Sequence, residues 1–164
     1  MRNVNSSSDE YRSLRERYNP IEKGRKIRVL FIAESPPKPS KSEQPYFYNK
    51  NSKRKGLWWH LSQVLYDGEM NKKEEFLERF QEDGYFLIDI FSTKQELDDI
   101  LKKKSYTEAT RISQRLFNTI QRLEPGRVVL LGKRAAKLIA GCLPFGSETN
   151  VERFRNFVKA SIKD

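Results

Sequence analysis

Two carboxylates, Glu34 and Asp89, lie at the ends of short apolar runs and are the first candidates for chemistry. Glu34 follows residues 29–33, and Asp89 lies near the end of residues 85–91. Apolar runs of this length predict strands that are buried on both faces. Ligands of parallel sheets bind just beyond the carboxyl ends of the strands, so both side chains are expected at one rim of a sheet.

Each carboxylate has a chemical and a structural interpretation. Glu34 could activate a water molecule as a general base, or it could cap the segment that follows it. Asp89 could activate water or accept hydrogen bonds from the edge of a base. Alternatively, Asp89 is the partner of a buried arginine or lysine, or of a helix N-terminus, because burying it unpaired would be destabilising.

Aromatic and basic side chains alternate in residues 38–55, whose composition predicts a loop. Tyr46 and Phe47 are candidates for stacking on a base, an interaction worth about 1–3 kcal/mol. The candidates for phosphate contacts in this loop are Lys50, Lys53, Arg54 and Lys55. The alternative is that the aromatic rings fix the loop to the core and that the basic side chains are only solvated.

Predicted strands alternate with predicted helices along the chain, and this order is typical of a parallel sheet built from βαβ units. The predicted strands are residues 27–33, 85–91, 127–131 and, as a loop or very short strand, 141–146. Two capping boxes, Asn71 with Glu74 and Ser105 with Glu108, predict helix starts. The predicted fold class is therefore α/β, with three layers (α/β/α) and a short, mostly parallel, four-stranded sheet.

One domain is expected over residues 27–164, preceded by an N-terminal extension over residues 1–26. Residues 1–10 are polar and serine-rich and are predicted to fray, whereas residues 11–18 are predicted to form a short charged helix. The chain shows no internal repeat and no second domain.

Five stretches of the chain together carry a family resemblance. They are VLFIAESPP at 29–37, PYFY at 45–48 followed by GLWW at 56–59, LIDI at 87–90, VVLLGKRAA at 128–136, and residues 144–154. The first is similar to the first active-site motif of the uracil-DNA glycosylase superfamily, and the others are similar to its later motifs. The resemblance spans roughly residues 28–157.

The resemblance implies hydrolysis of an N-glycosidic bond, without metal or cofactor, on a base that is flipped into a pocket at the sheet rim. In that scheme Glu34 holds the water, Phe47 or Tyr46 stacks on the base, and Asp89 contacts the base edge. The remaining residues that the resemblance assigns are Ser35 and Pro36 at the base and Lys133, Ser147 and Arg153 on the nucleic acid.

Two departures from the family pattern leave other functions open. Asp89 stands where the family often has a base-reading asparagine, and an ionised carboxylate accepts hydrogen bonds but donates none. The histidine of the family's last motif is absent, since the single histidine of the chain is His60. The alternatives are a catalytically inactive nucleic-acid-binding module of the same fold, or a hydrolase that acts on a free nucleoside or nucleotide.

Charge and composition restrict the partners and the compartment. The 32 basic and 22 acidic residues give a net charge of +10, which favours DNA as a polyanionic partner over the alternative of a merely solvated basic surface. One cysteine and one histidine exclude an internal disulfide and predict no metal site. No apolar run approaches the ~20 residues of a membrane span. A monomeric cytoplasmic protein without a cofactor is expected.

Overall fold

The computed structural model describes residues 4–37, 46–53, 55–103 and 106–132. They form a mixed α/β fold with a sheet of three parallel strands, β1 (Val29–Ala33), β2 (Tyr85–Asp89) and β3 (Arg127–Leu130), in the order β2-β1-β3. All three strands lie within the ranges predicted from the apolar runs. The predicted fourth strand at residues 141–146 lies outside the described residues.

The central strand β1 is buried on both faces, as its uninterrupted apolar sequence predicts. Leu30, Phe31 and Ile32 are at most 5% exposed. The register pairs Ala33 of β1 with Asp89 of β2. Because Asp89 is the last residue of β2, its side chain lies at the carboxyl-terminal rim of the sheet.

Five α-helices accompany the sheet in the described part of the chain. They are α1 (Val4–Glu16), α2 (Leu57–Tyr66), α3 (Lys73–Glu82), α4 (Lys94–Lys103) and α5 (Tyr106–Leu123). Helix α3 packs on the sheet through Phe80, whose ring centroid lies 5.5 Å from that of Phe31 and from that of Tyr85. None of the helices described is long and apolar enough to cross a membrane.

Helix α1 extends further towards the N-terminus than the sequence suggested, and it packs on the core. It begins at Val4, so residues 4–10 are helical rather than frayed. Tyr11 is 5% exposed, and its ring stacks on that of Tyr46 at a centroid distance of 4.3 Å. Tertiary packing of this kind supplies most of the stability of a short helix, and the polar composition of the segment does not reveal it.

One of the two predicted capping boxes differs from the helix start observed. The Asn71–Glu74 box is not formed, because the residue before α3 is Lys72 and its side chain makes no capping hydrogen bond. Ser105, from the second predicted box, lies outside the described residues.

A capping box that the sequence analysis overlooked begins α4. The Thr93 hydroxyl accepts the backbone N–H of Glu96 at 3.1 Å, and the Glu96 carboxylate accepts the backbone N–H of Ser92 at 2.6 Å. A threonine followed three residues later by a glutamate was the available signal. The box fixes the turn between β2 and α4 and therefore the rim next to Asp89.

Among the described strands β2 lies at an edge of the sheet, and the side chain of Tyr48 covers this edge. The backbone N–H of Leu87 donates to the Tyr48 hydroxyl oxygen at 2.7 Å, and that hydroxyl donates to the Leu87 carbonyl at 3.0 Å. Tyr48 is fully buried. The Tyr48 hydroxyl therefore satisfies both the backbone N–H and the carbonyl of Leu87, which would otherwise be open to pairing with a strand of another molecule.

Replacing Tyr48 by phenylalanine is expected to lower the free energy of unfolding by about 2–4 kcal/mol, because a buried N–H and a buried C=O lose their partner. Denaturant unfolding followed by circular dichroism measures the change. Tyr18→Phe is the matched control, since Tyr18 stacks on Tyr48 at 5.7 Å and its hydroxyl makes no hydrogen bond within the described residues. We expect the control to change stability by less than about 0.5 kcal/mol. Equal losses in the two variants would show that the Tyr48 hydroxyl does not stabilise the edge.

Candidate functional site

A cleft of about 770 Å³ opens at the carboxyl-terminal end of β2, between α1 and α5. Its floor consists of residues 88–91, at the end of β2 and in the turn that follows. Pro36 and Tyr46, from the connection between β1 and α2, complete the lining on one side. The volume falls within the range of roughly 300–1,000 Å³ that is usual for ligand sites.

Asp89 is the ionisable group on the floor of the cleft. It is partly buried, and its carboxylate makes no hydrogen bond or ion pair with the described residues. Burial raises the pKa of Asp89 from 3.8 to about 7, while the charge of Arg15 acts in the opposite direction. A carboxyl group that titrates near neutral pH can both accept and release a proton, and such groups are concentrated in functional sites.

Two stacked tyrosines, Tyr11 and Tyr46, line the cleft beside Asp89. The hydroxyl of Tyr11 is buried and has no hydrogen-bond partner in the described part of the chain. Burial raises the pKa of Tyr11, and the charges of Glu10 and Asp89 raise it further. An unpaired buried hydroxyl is destabilising by about 1–3 kcal/mol. The folded protein nevertheless keeps the Tyr11 hydroxyl at this position.

Four arginines line the described walls of the cleft, and their pairing differs. Arg15 pairs with Glu16, with 3.2 Å between guanidinium nitrogen and carboxylate oxygen. Arg12 on α1 and Arg122 on α5 are exposed and make no ion pair within the described residues. Both guanidinium groups add positive charge to the described lining of the cleft.

The fourth arginine, Arg115 on α5, holds the rim of the cleft together. It pairs with Glu96 at 3.2 Å and donates a hydrogen bond to the Ile90 carbonyl at 2.8 Å. Since Glu96 also belongs to the capping box of α4, Arg115 links α4 and α5 to the turn that follows β2. The position of the floor next to Asp89 depends on this network.

Glu34, the other predicted catalytic residue, lies at the same rim but is not part of the cleft lining. Its carboxylate is partly buried and pairs with the ammonium group of Lys94 at 3.5 Å. Its carbonyl accepts the backbone N–H of Phe91 at 3.0 Å, which places it beside the turn after β2. Of its two predicted neighbours, Pro36 lines the cleft and Ser35 is a partly exposed residue of the same connection.

The predicted stacking residue Phe47 lies in the core. It is 7% exposed, and its ring meets those of Tyr48, Phe76 and Phe80 edge-on at centroid distances of 4.8, 5.9 and 5.6 Å. These contacts favour the interpretation that the aromatic residues fix the loop to the core. Tyr46 is also buried, at 2% exposure, although part of its surface borders the cleft.

The described basic residues of the predicted phosphate-binding loop do not line the cleft. Lys50 pairs with Glu74, and the ammonium group of Lys55 lies 4.1 Å from the ring centroid of Trp59. Lys53 is exposed. The other predicted nucleic-acid contacts, Arg54, Lys133, Ser147 and Arg153, lie outside the described residues.

Sequence analysis missed the cleft residues of α1 and α5. Arg115 and Arg122 are two helical turns apart on one face, and Tyr11 and Arg15 are one turn apart. This spacing was the available signal. Nothing in the sequence, however, indicates that α1 and α5 line the same cleft.

The cleft offers acid–base and cationic groups rather than metal ligands. No group of three or more histidine, cysteine, aspartate or glutamate side chains that could hold a metal ion occurs in the described residues. Asp89 can exchange a proton near neutral pH, and exposed arginines such as Arg12 and Arg122 can bind phosphate. This combination suits hydrolysis of an anionic substrate by an activated water molecule.

Comparison with known proteins provides no relative for this chain. No protein-family model, no curated protein and no solved structure matches it. A functional assignment therefore depends on the cleft and on the residues that line it.

Proposed function

We propose that the protein binds DNA and hydrolyses the N-glycosidic bond of a damaged or deaminated nucleotide. The observation that carries this proposal is Asp89, whose pKa is raised to about 7, on the floor of a cleft that contains four arginines. A nucleotide carries an anionic phosphate, and the arginines of the cleft complement this charge. The net charge of +10 favours a polyanionic substrate.

The proposed fold is that of the uracil-DNA glycosylase superfamily, with helices on both faces of the sheet. The order β2-β1-β3 means that the chain crosses from β1 to β2 in one direction and from β2 to β3 in the other. Right-handed crossovers then put α2 and α3 on one face and α4 and α5 on the other. Residues 141–146 would add the fourth strand. The resemblance of residues 28–157 supports this superfamily over other α/β folds.

In the proposed reaction, the Asp89 carboxylate takes a proton from water while the water oxygen forms a bond to C1′ of the deoxyribose. The C1′–N bond breaks, and its electron pair stays on the nitrogen of the leaving base. The proton then passes from Asp89 to the released base, which restores the carboxylate. The products are the free base and an abasic site with a hydroxyl group on C1′, and the balance requires neither a metal nor a cofactor.

Glu34 is the second carboxylate of the proposed site, one strand away at the same rim. Its ion pair with Lys94 favours an orienting role over proton transfer, because the carboxylate is already held by a neighbouring cation. Glu34→Gln is therefore expected to lower base release less than the loss of the Asp89 carboxylate. Equal losses would instead assign proton transfer to both residues.

A catalytically inactive DNA-binding module of the same fold is the second candidate function. It is favoured by the burial of Phe47, since the ring predicted to stack on a flipped base is packed in the core. Such a module would bind DNA with a strong dependence on salt but would release no base.

A base-release assay tests the proposal. The protein is incubated with labelled oligonucleotides that carry uracil, hypoxanthine, xanthine or a mismatched base, single- and double-stranded, and alkali then cleaves any abasic site. Release that is lost in Asp89→Asn would support the hydrolase and identify its base. Salt-sensitive binding without release would establish the binding module. Release from free nucleotides, without binding to oligonucleotides, would identify a nucleotide hydrolase.

A further inference from the structure

The turn after β2, residues 90–92, is held on one side by the end of β1. The backbone N–H of Ile90 donates to the Ala33 carbonyl at 2.9 Å, and the backbone N–H of Phe91 donates to the Glu34 carbonyl at 3.0 Å. Ile90 and Phe91 are also buried, at 4% and 2% exposure. The end of β1 thus fixes two N–H groups of the turn, and the carbonyl of Ile90 has a different partner.

That partner is an arginine of α5, which is held in turn by a glutamate of α4. Arg115 donates to the Ile90 carbonyl at 2.8 Å, and its two terminal nitrogens donate to the two carboxylate oxygens of Glu96 at 3.2 and 3.3 Å. The same carboxylate accepts the backbone N–H of Ser92 at 2.6 Å. The Glu96 side chain is only 18% exposed, so solvent screens the pair in part. This two-pronged contact fixes the plane of the guanidinium group.

The position of Asp89 follows from the position of this turn, because Asp89 is the residue that precedes it. The peptide group between Asp89 and Ile90 is bonded to β1 through its N–H, and the carbonyl of Ile90 is bonded to Arg115. Buried carbonyl groups in proteins nearly always have a hydrogen-bond partner. If the guanidinium group were removed, the turn would have to shift or take up water to satisfy this carbonyl, and either change would occur next to Asp89.

We propose that Arg115 is a positioning residue of the cleft, which fixes the turn after β2 through the Ile90 carbonyl and thereby holds Asp89 in place, with Glu96 orienting the guanidinium group. The inference rests on the proposed function, in which Asp89 takes a proton from water. It adds to that function the residues that keep the carboxylate at its reacting position. In this role Arg115 acts on Asp89 through the backbone and not on the reacting atoms.

Charge and position predict opposite effects of Arg115 on Asp89. Burial is the main cause of the raised pKa of Asp89, and the charge that opposes it is that of Arg15 on α1. The titratable neighbours whose own pKa values Asp89 raises are Tyr11 on α1 and Tyr46 before α2. If Arg115 acted through its charge, its removal would raise the pKa of Asp89 further, because a cation disfavours protonation of a carboxylate. If it acts through position, its removal admits water and lowers this pKa towards 3.8.

The test follows the titration of Asp89 by NMR, from the chemical shift of its side-chain carboxyl carbon, which Asp89→Asn identifies. In Arg115→Gln we expect the midpoint to fall from about 7 by about one pH unit or more. The kcat for base release should fall by about 10–100-fold with little change in KM, because a misplaced reacting group impairs the chemical step. Arg111→Gln is the matched control and should change neither quantity. It removes the other guanidinium group that pairs with Glu96, at 3.4 Å, and leaves the contact with Ile90 in place.

A midpoint that rises or stays unchanged in folded Arg115→Gln would overturn the inference. If thermal unfolding shows that this variant does not fold, Arg115→Lys takes its place, since it keeps the charge and loses the planar fork that contacts Glu96 and Ile90 together. An unchanged midpoint in folded Arg115→Lys would then overturn the inference.

The NMR readout does not depend on base release, so the two proposals fail separately. A lower midpoint in the Arg115 variants, without base release by the wild type, would retain the positioning role and reject the hydrolase. Base release by the wild type, with an unchanged midpoint and unchanged kcat in the Arg115 variants, would do the reverse.

Discussion

Replacement of Asp89 by asparagine is expected to lower the rate of base release by about 10²–10⁴, the usual contribution of a positioned general base. The substitution keeps the size of the side chain and removes its ability to take a proton. Asparagine also offers both a donor and an acceptor, so it can still form hydrogen bonds to the edge of a base. A side chain that only read the base edge would keep or improve its function as asparagine, so the direction of the change separates the two roles.

The pH profile of the wild type provides a second readout of the same assignment. Burial raises the pKa of Asp89 to about 7, and the proposed mechanism needs the ionised form. The kcat/KM for base release should therefore rise between about pH 5 and pH 8, with a midpoint near 7. Asp9→Asn is the control, since it removes an exposed carboxylate from the same cleft and should leave the midpoint unchanged. Full activity of Asp89→Asn would contradict the assignment.

The sheet strands were predictable because their signal is local. Residues 29–33 are uninterruptedly apolar, and a strand that is buried on both faces requires just that composition. The spacing of Ile112, Leu116 and Leu123 is likewise typical of one face of a helix, and all three side chains are buried in α5. In both cases the residues that decide the structure are close together in the sequence.

The cleft was not predictable because it depends on contacts between distant segments. α1 brings Tyr11 onto Tyr46 and next to Asp89, although its polar sequence suggested a peripheral extension. The role of Phe47 could not be predicted either. An aromatic residue in a basic loop is as typical of a site that stacks on bases as of a side chain that fixes the loop to the core. Only its 7% exposure, which results from packing against α3, distinguishes the two.

Asp89→Asn is also expected to stabilise the folded protein above neutral pH. The pKa of Asp89 is raised in the folded state from 3.8 to about 7. Between these values the folded state keeps a proton that the unfolded state has lost, so the free energy of unfolding falls as the pH rises from about 4 to about 7. At about 1.4 kcal/mol per pH unit, this shift corresponds to slightly more than 4 kcal/mol. Asp89 keeps some exposure to solvent, so we expect a gain of about 2–4 kcal/mol in the variant at pH 8.

Denaturant unfolding of the wild type and the variant at a series of pH values measures this gain. The two proteins should differ least below about pH 4, where Asp89 is protonated in both states, and Asp9→Asn should follow the wild type throughout. If the free energy of unfolding depended on pH in the same way for the wild type and for Asp89→Asn, burial would not disfavour the ionised carboxylate. Lower activity together with higher stability is the combination expected of a residue whose charge serves chemistry, because functional groups are often held against the stability of the fold. If Asp89 were a structural carboxylate, its replacement would instead lower the stability of the protein, and activity would fall only as a consequence.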